Sequence, residues 1–521
     1  MSFYGQRKLS ERIAARLSWD AIVYYFFRGN ATVAIIVVAL IIVFLWREGV
    51  DFFPEHRRHL ELYRESGGEL VDFLLVPLRE SQELLNEWND WYQKQKGSFR
   101  PERSIEEVNN LWHEWWDHIY ATRLAADPMI QHVMKVRQRA KVAEEAERRK
   151  RRLVQMGRKN EAELIKIEPV DWVSEEQKLR QLCLNFMQDL QHFRSRMASL
   201  RTVTETWLMQ QRLQASDTTK LRSMVSKLRA IEERCANIDS ESARKELKEP
   251  VGHLQALSAF LLGQYWITQS FWMDWYGLLP VLGGSALVCI IALTIAVPIG
   301  VGSAIYVNQF ASALERDFIK PSLEFIAAIP SVVLGFFGIV VLGETLREIS
   351  QSPLLSWLPG FPFNERLNAL TAGCLLAFMA VPTIFSLAED ALQNVPGSYK
   401  EGAFALGATK MQAVWTIIIP AASSGIIAAI LLGLGRVIGE TMVVLLCAGN
   451  RLMLPDFGSG LGVLTQPVHT MTGLIAQEMP EVVRGSLHYR ALFVIGLTLF
   501  IIALLINFSV QRLLRSYQKR E

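Results

Sequence analysis

The sequence predicts an all-α membrane protein with six transmembrane helices and a large helical part outside the bilayer. Three observations predict it. Charge is divided by position: residues 47–274 hold 36 Lys/Arg and 36 Asp/Glu among 228 residues, while the other 293 hold 19 and 16 and carry the whole net charge of +3. Uncharged runs recur at close to the roughly 20 residues that a helix needs to cross a bilayer. The charged part repeats apolar residues at helical spacing and shows almost no strand pattern. This division excludes a purely soluble enzyme, and it equally excludes a chain buried throughout in lipid.

Taken in order, residues 1–28 form a tail with Arg7, Lys8, Arg12, Arg16 and Arg28. Gly29–Trp46 is the first span. Trp46-Arg47-Glu48 follows it in place of a small-residue cleavage site, so the span is expected to remain as an anchor. Residues 47–274 are then expected to be a helical bundle or coiled coil. Ile105, Val108, Trp112, Trp115 and Ile119 form one stripe. Leu179, Leu182, Phe186, Leu190, Phe193, Met197 and Leu200 form another, and such stripes bury one helix face against a neighbour. Breaks are expected at Gly67-Gly68, Gly97–Pro101, Asp127-Pro128, Pro169 and Asp239–Ser242. The cluster Trp112, Trp115 and Trp116 is assigned to core packing.

The run Arg148-Arg149-Lys150-Arg151-Arg152, preceded by Glu144, Glu145 and Glu147, reads as a solvated helix face with i,i+4 pairs. Nucleic acid is not an expected partner on that side of a membrane, which leaves anionic lipid or an acidic protein surface. Cys183 and Cys235 lie outside the spans, and spacing alone does not say whether they pair. His56 and His59 are read as surface residues, with no metal site. Pro250–Met273 is uncharged but too polar for a span, and its Trp and Tyr suit a helix at the membrane surface.

The remaining spans are Trp275–Leu314, Phe325–Gly343, Leu367–Ala388, Met411–Asn450 and Ala491–Gln511. The C-terminal tail carries Arg512, Arg515, Lys519 and Arg520. Six spans place both tails on one side, and their basic residues mark that side as cytoplasmic. The part 47–274 is then periplasmic, and 275–521 forms a five-span core.

The loop between the fourth and fifth spans reads Glu401-Gly-Ala-Phe-Ala-Leu-Gly407 and continues to Ile417-Ile-Ile-Pro420. It resembles the EAA loop of bacterial ABC-importer permeases, with Gly402 and Ile419 at positions where Ala and Leu are usual. The stretch Gly433-Leu-Gly435-Arg436-Val-Ile-Gly439-Glu440-Thr441-Met442 is similar to the fifth-span signature of PstC-type phosphate permease subunits. Ile329-Pro330-Ser331 and Val381-Pro-Thr-Ile-Phe agree with it. The resemblance covers the first span and about 275–521, and it does not reach the helical part. It implies the six-helix ABC-importer permease fold in the bacterial inner membrane, a PstA-like permease partner, a PstB-like ATPase dimer docked on Glu401, Ala403, Gly407 and Pro420, and a PstS-like periplasmic phosphate-binding protein. The chain contains no Gly-Lys dipeptide and so no phosphate-binding P-loop. No cofactor is expected in it, and ATP would be bound by the partner subunit.

An anion crossing a membrane needs compensation, and Arg offers a fork of donors to oxyanion oxygens. Arg436 is the only basic residue within the six spans as drawn. Glu440, one turn later, is expected on the same helix face, either as a self-neutralising partner or as a gate. Thr441 and Ser331 are candidate path hydroxyls. Gly433, Gly435 and Gly439 are assigned to close helix packing. A permease for another oxyanion and a non-transporting phosphate sensor or scaffold stay open as alternatives. No catalytic constellation stands out.

Overall fold

The computed structural model describes residues 19–96, 103–210, 215–244, 250–268, 270, 272–352, 362–363 and 365–518. Arg7, Lys8, Arg12, Arg16, Lys519, Arg520 and the expected break at Gly97–Pro101 lie outside the described residues. The chain divides into two compact units. One comprises Met1–Glu55, Leu257–Thr268 and Asp274–Glu521, and the other His56–Ala256 and Gln269–Met273.

The apolar helix α1 (Trp19–Val50) leads through α2 (Phe52–Glu65) into the second, helical unit. That unit continues with α3 (Gly68–Lys96), α4 (Arg103–Ala125), α5 (Asp127–Gln155), α6 (Lys159–Glu163), α7 (Trp172–Gln210) and α8 (Ala215–Arg244). Gly67 turns the chain between α2 and α3 at φ 86°, a value that favours glycine. The expected break at Asp239–Ser242 is absent, because α8 runs on to Arg244. Amphipathic faces meet in one aromatic core. Trp88 stacks on Trp112 with ring centroids 4.6 Å apart, and Trp115 stacks on Phe193 at 4.5 Å. The indole N–H groups of Trp88 and Trp91 donate to Asn109 Oδ1 at 3.2 Å and Asp217 Oδ1 at 3.1 Å. Trp116 was expected in this core but is exposed. One residue past Trp115, it has rotated about 100° around the helix and faces away.

Cys183 and Cys235 are free and buried, and burial pushes their thiols up to about 11 and about 12. The thiolate is the reactive form. Maleimide at pH 7.5 is therefore expected to leave both unmodified in the native chain and to label both once it is unfolded. Rapid native labelling at either position, read by peptide mass, would contradict this packing. His56 and His59 are not surface residues but buried ones, and burial lowers His56 to about 4. The helical stripe of α2 turns both inward.

Helix α9 (His253–Leu261) begins in the second unit and ends in the first, where a short antiparallel hairpin follows, β1 (Trp266–Ile267) against β2 (Trp275–Tyr276). Among the described residues of Pro250–Met273 only His253–Leu261 is helical, so the expected helix does not run the length of the stretch. Gly263 and Gly277 approach so closely that a side chain on either would strike the other's backbone, which is what admits the hairpin. Trp266 and Tyr276 pack with Phe52 and Phe260, whose own rings lie 5.0 Å apart.

The spans follow as α10 (Leu279–Gln309), α11 (Ala313–Ala328), α12 (Ser331–Phe337) with a π-helical turn into α13 (Gly343–Ser350), α14 (Ala369–Gln393), α15 (Gly397–Ala405), α16 (Lys410–Ala413), α17 (Ile419–Gly439), α18 (Met442–Cys447), α19 (Met471–Glu478) and α20 (Leu487–Gln518). Among the described residues, five helices are long and apolar enough to cross a membrane, and a sixth crossing exists if the bent pair counts as one. That pair corrects the expected third span. Ala313–Ala328 and Ser331–Ser350 meet at 90° instead of forming one rod through Phe325–Gly343. Ile329 is extended at φ −68°, ψ 127°, and Pro330 carries no N–H to continue the ladder.

Candidate functional site

The site is assembled on α14 and α17, which pack along each other while α14 also packs along α10. Ile384 of α14 fills the space beside two glycines, Gly300 of α10 and Gly433 of α17. A Cβ at Gly433 would lie 2.6 Å from Ile384 Cγ1. Small residues here let three helices close on one branched side chain. Thr383, next to Ile384, is thereby brought level with Arg436. Arg436 Nη1 donates to Thr383 Oγ1 at 2.7 Å.

Glu440 does not share the helix face of Arg436. Helix α17 ends at Gly439, and Glu440 is extended at φ −72°, ψ 133°. Its Oε1 accepts from the Met442 backbone N–H at 3.2 Å, and its carbonyl accepts from Thr472 Oγ1 at 2.8 Å. The two form no ion pair, and the expected i,i+4 arrangement fails because the helix stops one residue short of it. Gly435 and Gly439 also differ from expectation: a Cβ at either would meet nothing within 4 Å. Of the three glycines, only Gly433 packs closely against other described residues of this chain.

Thr441 and Ser331 stand at the starts of two short helices. Thr441 precedes α18, and Ser331 opens α12 just past the bend. These helices pack through Gly335 and Leu446, and Cys447 Sγ donates to the Gly335 carbonyl at 3.3 Å. Among the described residues, Thr441 Oγ1 reaches only the Gly439 carbonyl, at 3.4 Å. Neither hydroxyl bonds to Arg436, so the four candidates are not one hydrogen-bonded cluster. Sequence reasoning missed Thr383. A hydroxyl directly after Pro382 in a membrane helix was its only signal. It also missed Lys320, whose Nζ lies 2.9 Å from the buried carboxylate of Glu389, itself bonded to Gln393.

The second part of the site is the loop 401–420. Helix α15 ends in a left-handed turn at Gly407, φ 81°. The Gly407 N–H bonds to the Phe404 carbonyl at 2.9 Å, and the Ala408 N–H to that of Ala403 at 3.1 Å, satisfying the last carbonyls of the helix. Thr409 and Gln412 then form a reciprocal cap on α16. Ala403 is buried and Glu401 exposed, and Pro420 sits in the first turn of α17. Around this turn Phe404, Leu406, Met411 and Trp415 face outward, Leu406 at 91 % exposure. Exposed apolar groups of this kind mark protein or membrane interaction sites in general.

The family described as binding-protein-dependent transport system inner membrane component matches residues 296–520, which include both parts of the site. The phosphate transport system permease protein PstC of Pasteurella multocida is 34 % identical over 249 residues, covering 46 % of this chain and 74 % of that protein. PstC of Haemophilus influenzae is 35 % identical over 259 residues, covering 48 % and 78 %. The chain belongs to the PstC family of permeases.

Other relatives of this permease include the probable ABC transporter permease YqgH of Bacillus subtilis, 31 % identical over 230 residues, covering 44 % of this chain and 69 % of that one. A structure of the MetNI methionine ABC transporter in inward-facing conformations aligns with a TM-score of 0.32 at 19 % identity, over 46 % of this chain and 93 % of that one. The permease is a multi-pass inner-membrane protein, and its family consists of transporter subunits rather than enzymes. In chemical terms, Arg436 is exposed and one of its five donors is engaged by Thr383, so the rest of the guanidinium is free to meet an oxyanion.

Proposed function

We propose that this permease is the PstC-like subunit of an ATP-driven phosphate importer. The observation that carries the reading is its kinship with PstC permeases, together with the family match over residues 296–520, which include Arg436. In this reading, both termini are cytoplasmic and the helical unit is periplasmic. A PstA-like subunit completes the path, facing the open side of Gly435 and Gly439. A PstS-like protein delivers phosphate from outside, with the helical unit as its docking or retention device. A PstB-like ATPase dimer seats on the loop 401–420 and hydrolyses the ATP. The exposed Leu406 beside buried Ala403 supports that docking, since a projecting apolar side chain on a rigid turn can anchor in a cleft.

Arg436 and Thr383 would hold the anion by direct hydrogen bonds. Glu440, fixed by Met442 and Thr472, would stand one residue beyond the helix end and repel a fully ionised anion. The chain's role is tested by radiolabelled phosphate uptake at low external phosphate in cells with and without it, together with copurification of the ATPase on a Leu406→Asp variant. Uptake is expected to depend on the chain, and Leu406→Asp to lose both the ATPase and uptake. Equal uptake without the chain, in cells lacking other phosphate importers, would remove the substrate assignment. Normal ATPase recovery on Leu406→Asp would remove the docking surface.

A further inference from the structure

In the helical unit, α5 outruns the core. Its last buried residue is Ala140, and beyond it every described side chain is exposed or half-buried. Between Glu147 and Lys166 stand eight Lys/Arg against three Glu. Glu147 pairs with Arg151 at 2.6 Å and Glu161 with Arg158 at 2.7 Å, which leaves a large basic surplus. Gly157, at φ 76°, folds the chain back into α6, so these residues gather at one tip. The same tip exposes Val154, Met156 and Leu164, at 46 %, 70 % and 81 %. Basic residues interleaved with exposed apolar ones characterise surfaces that rest in the headgroup layer of a membrane.

The run of the helices identifies the end of the unit on which this tip lies. Val133 of α5 stands beside Gly67, at the far end of α2. Eleven residues further along α5, Glu144 is bonded to Arg58, near the start of α2. The two helices are therefore antiparallel, and the tip lies past Arg58. That is the end at which the chain passes into and out of the unit, at Glu55–His56 and Ala256–Leu257, where Arg57 and His253 are hydrogen-bonded at 2.9 Å. The apolar helix α1 ends at Val50. The few residues from there to His56 reach at most about 20 Å even when fully extended. Covalent connection alone keeps this end within reach of the bilayer surface.

We infer that the Arg148–Lys166 tip binds the headgroups of anionic lipids in the leaflet where α1 emerges. An acidic protein would account for the charge but not for three exposed apolar side chains among it. The inference does not depend on the transported substrate.

The test uses the full-length chain in lipid nanodiscs with an environment-sensitive fluorophore at Met156→Cys, and at Met209→Cys as a control on the exposed end of α7. With phosphatidylglycerol, the Met156 label is expected to shift to the blue and to be quenched by a lipid-borne nitroxide. The shift should disappear in high salt and in the combined Arg148→Gln, Arg149→Gln, Arg151→Gln variant. It should be absent in phosphatidylcholine, and the Met209 label should not respond. A label that stays water-like in phosphatidylglycerol overturns the inference, as does an equal shift in both lipids. Shielding that appears only when a periplasmic binding protein is added assigns the tip to a protein partner instead.

Discussion

Arg436→Gln is expected to abolish phosphate uptake at low external phosphate while the amount of chain in the membrane stays unchanged. The two halves of this outcome have separate causes. Arg436 is exposed, forms no ion pair with Glu440, and is tied to the rest of the chain through Thr383 at 2.7 Å. Its removal therefore strands no buried countercharge, which is the usual reason that losing a charged partner unfolds a protein. An oxyanion in a path shielded from water loses far more, because truncating one side of a desolvated charged pair costs about 2–5 kcal/mol. That corresponds to a fall of roughly 30-fold to a few thousand-fold in uptake efficiency. Arg436→Lys should recover part of the activity, since it restores the charge without the planar fork. Thr383→Val, which removes one neutral-to-charged hydrogen bond, should cost on the order of tenfold. Normal uptake by Arg436→Gln would remove this residue from the path.

Trp112→Ala is expected to destabilise the helical unit by about 3–5 kcal/mol, the range for deleting a buried aromatic side chain. The ring is fully buried and stacked on Trp88 with an interplanar angle of 2°. Among the described residues its indole N–H has no hydrogen-bond partner, whereas that of Trp88 donates to Asn109. Trp112→Phe should therefore be far milder than Trp112→Ala, and Trp88→Phe worse than Trp112→Phe, because it leaves Asn109 without its donor. Urea unfolding followed by tryptophan fluorescence ranks the three variants. The core of α10, α14 and α17 is expected to keep its stability throughout, since its apolar clusters contain no residue of this aromatic core. Equal stability of Trp112→Ala and the parent would mean that the stack is not what holds the bundle.

The fold was legible where one local signal sufficed. Apolar runs gave α1, α10, α14 and α20, because the length of an uncharged stretch and the thickness of a bilayer are the same measurement. The heptad-like stripe along α7 gave a buried face. Periodicity could not show where a hydrophobic run bends. Phe325–Gly343 is uniformly apolar, yet Ile329-Pro330 turns it through 90°. Nor could it show where α17 ends: Gly439 and Glu440 are separated by a change in ψ that composition does not register. The candidate site was legible as a list of residue types but not as a geometry. Arg436 stood out as a lone charge, while Thr383, fifty-three residues earlier in the chain, is brought to it by the packing of Ile384 between two glycines. The hairpin at Trp266–Tyr276 was hidden for a similar reason, since it depends on contact between Gly263 and Gly277 across fourteen residues of chain.

The rings of Phe52 and Phe260 meet at 5.0 Å, and Arg57 and His253 are bonded close by in sequence, so the stretch between them starts and finishes in one place. For heredity, such a stretch is a cassette. A single recombination event can add or delete some two hundred codons, and the flanking spans need bridge only the width of two touching side chains to stay in register. Ancestors and descendants of this gene can therefore differ by a whole structural unit without passing through intermediates that disrupt the membrane helices.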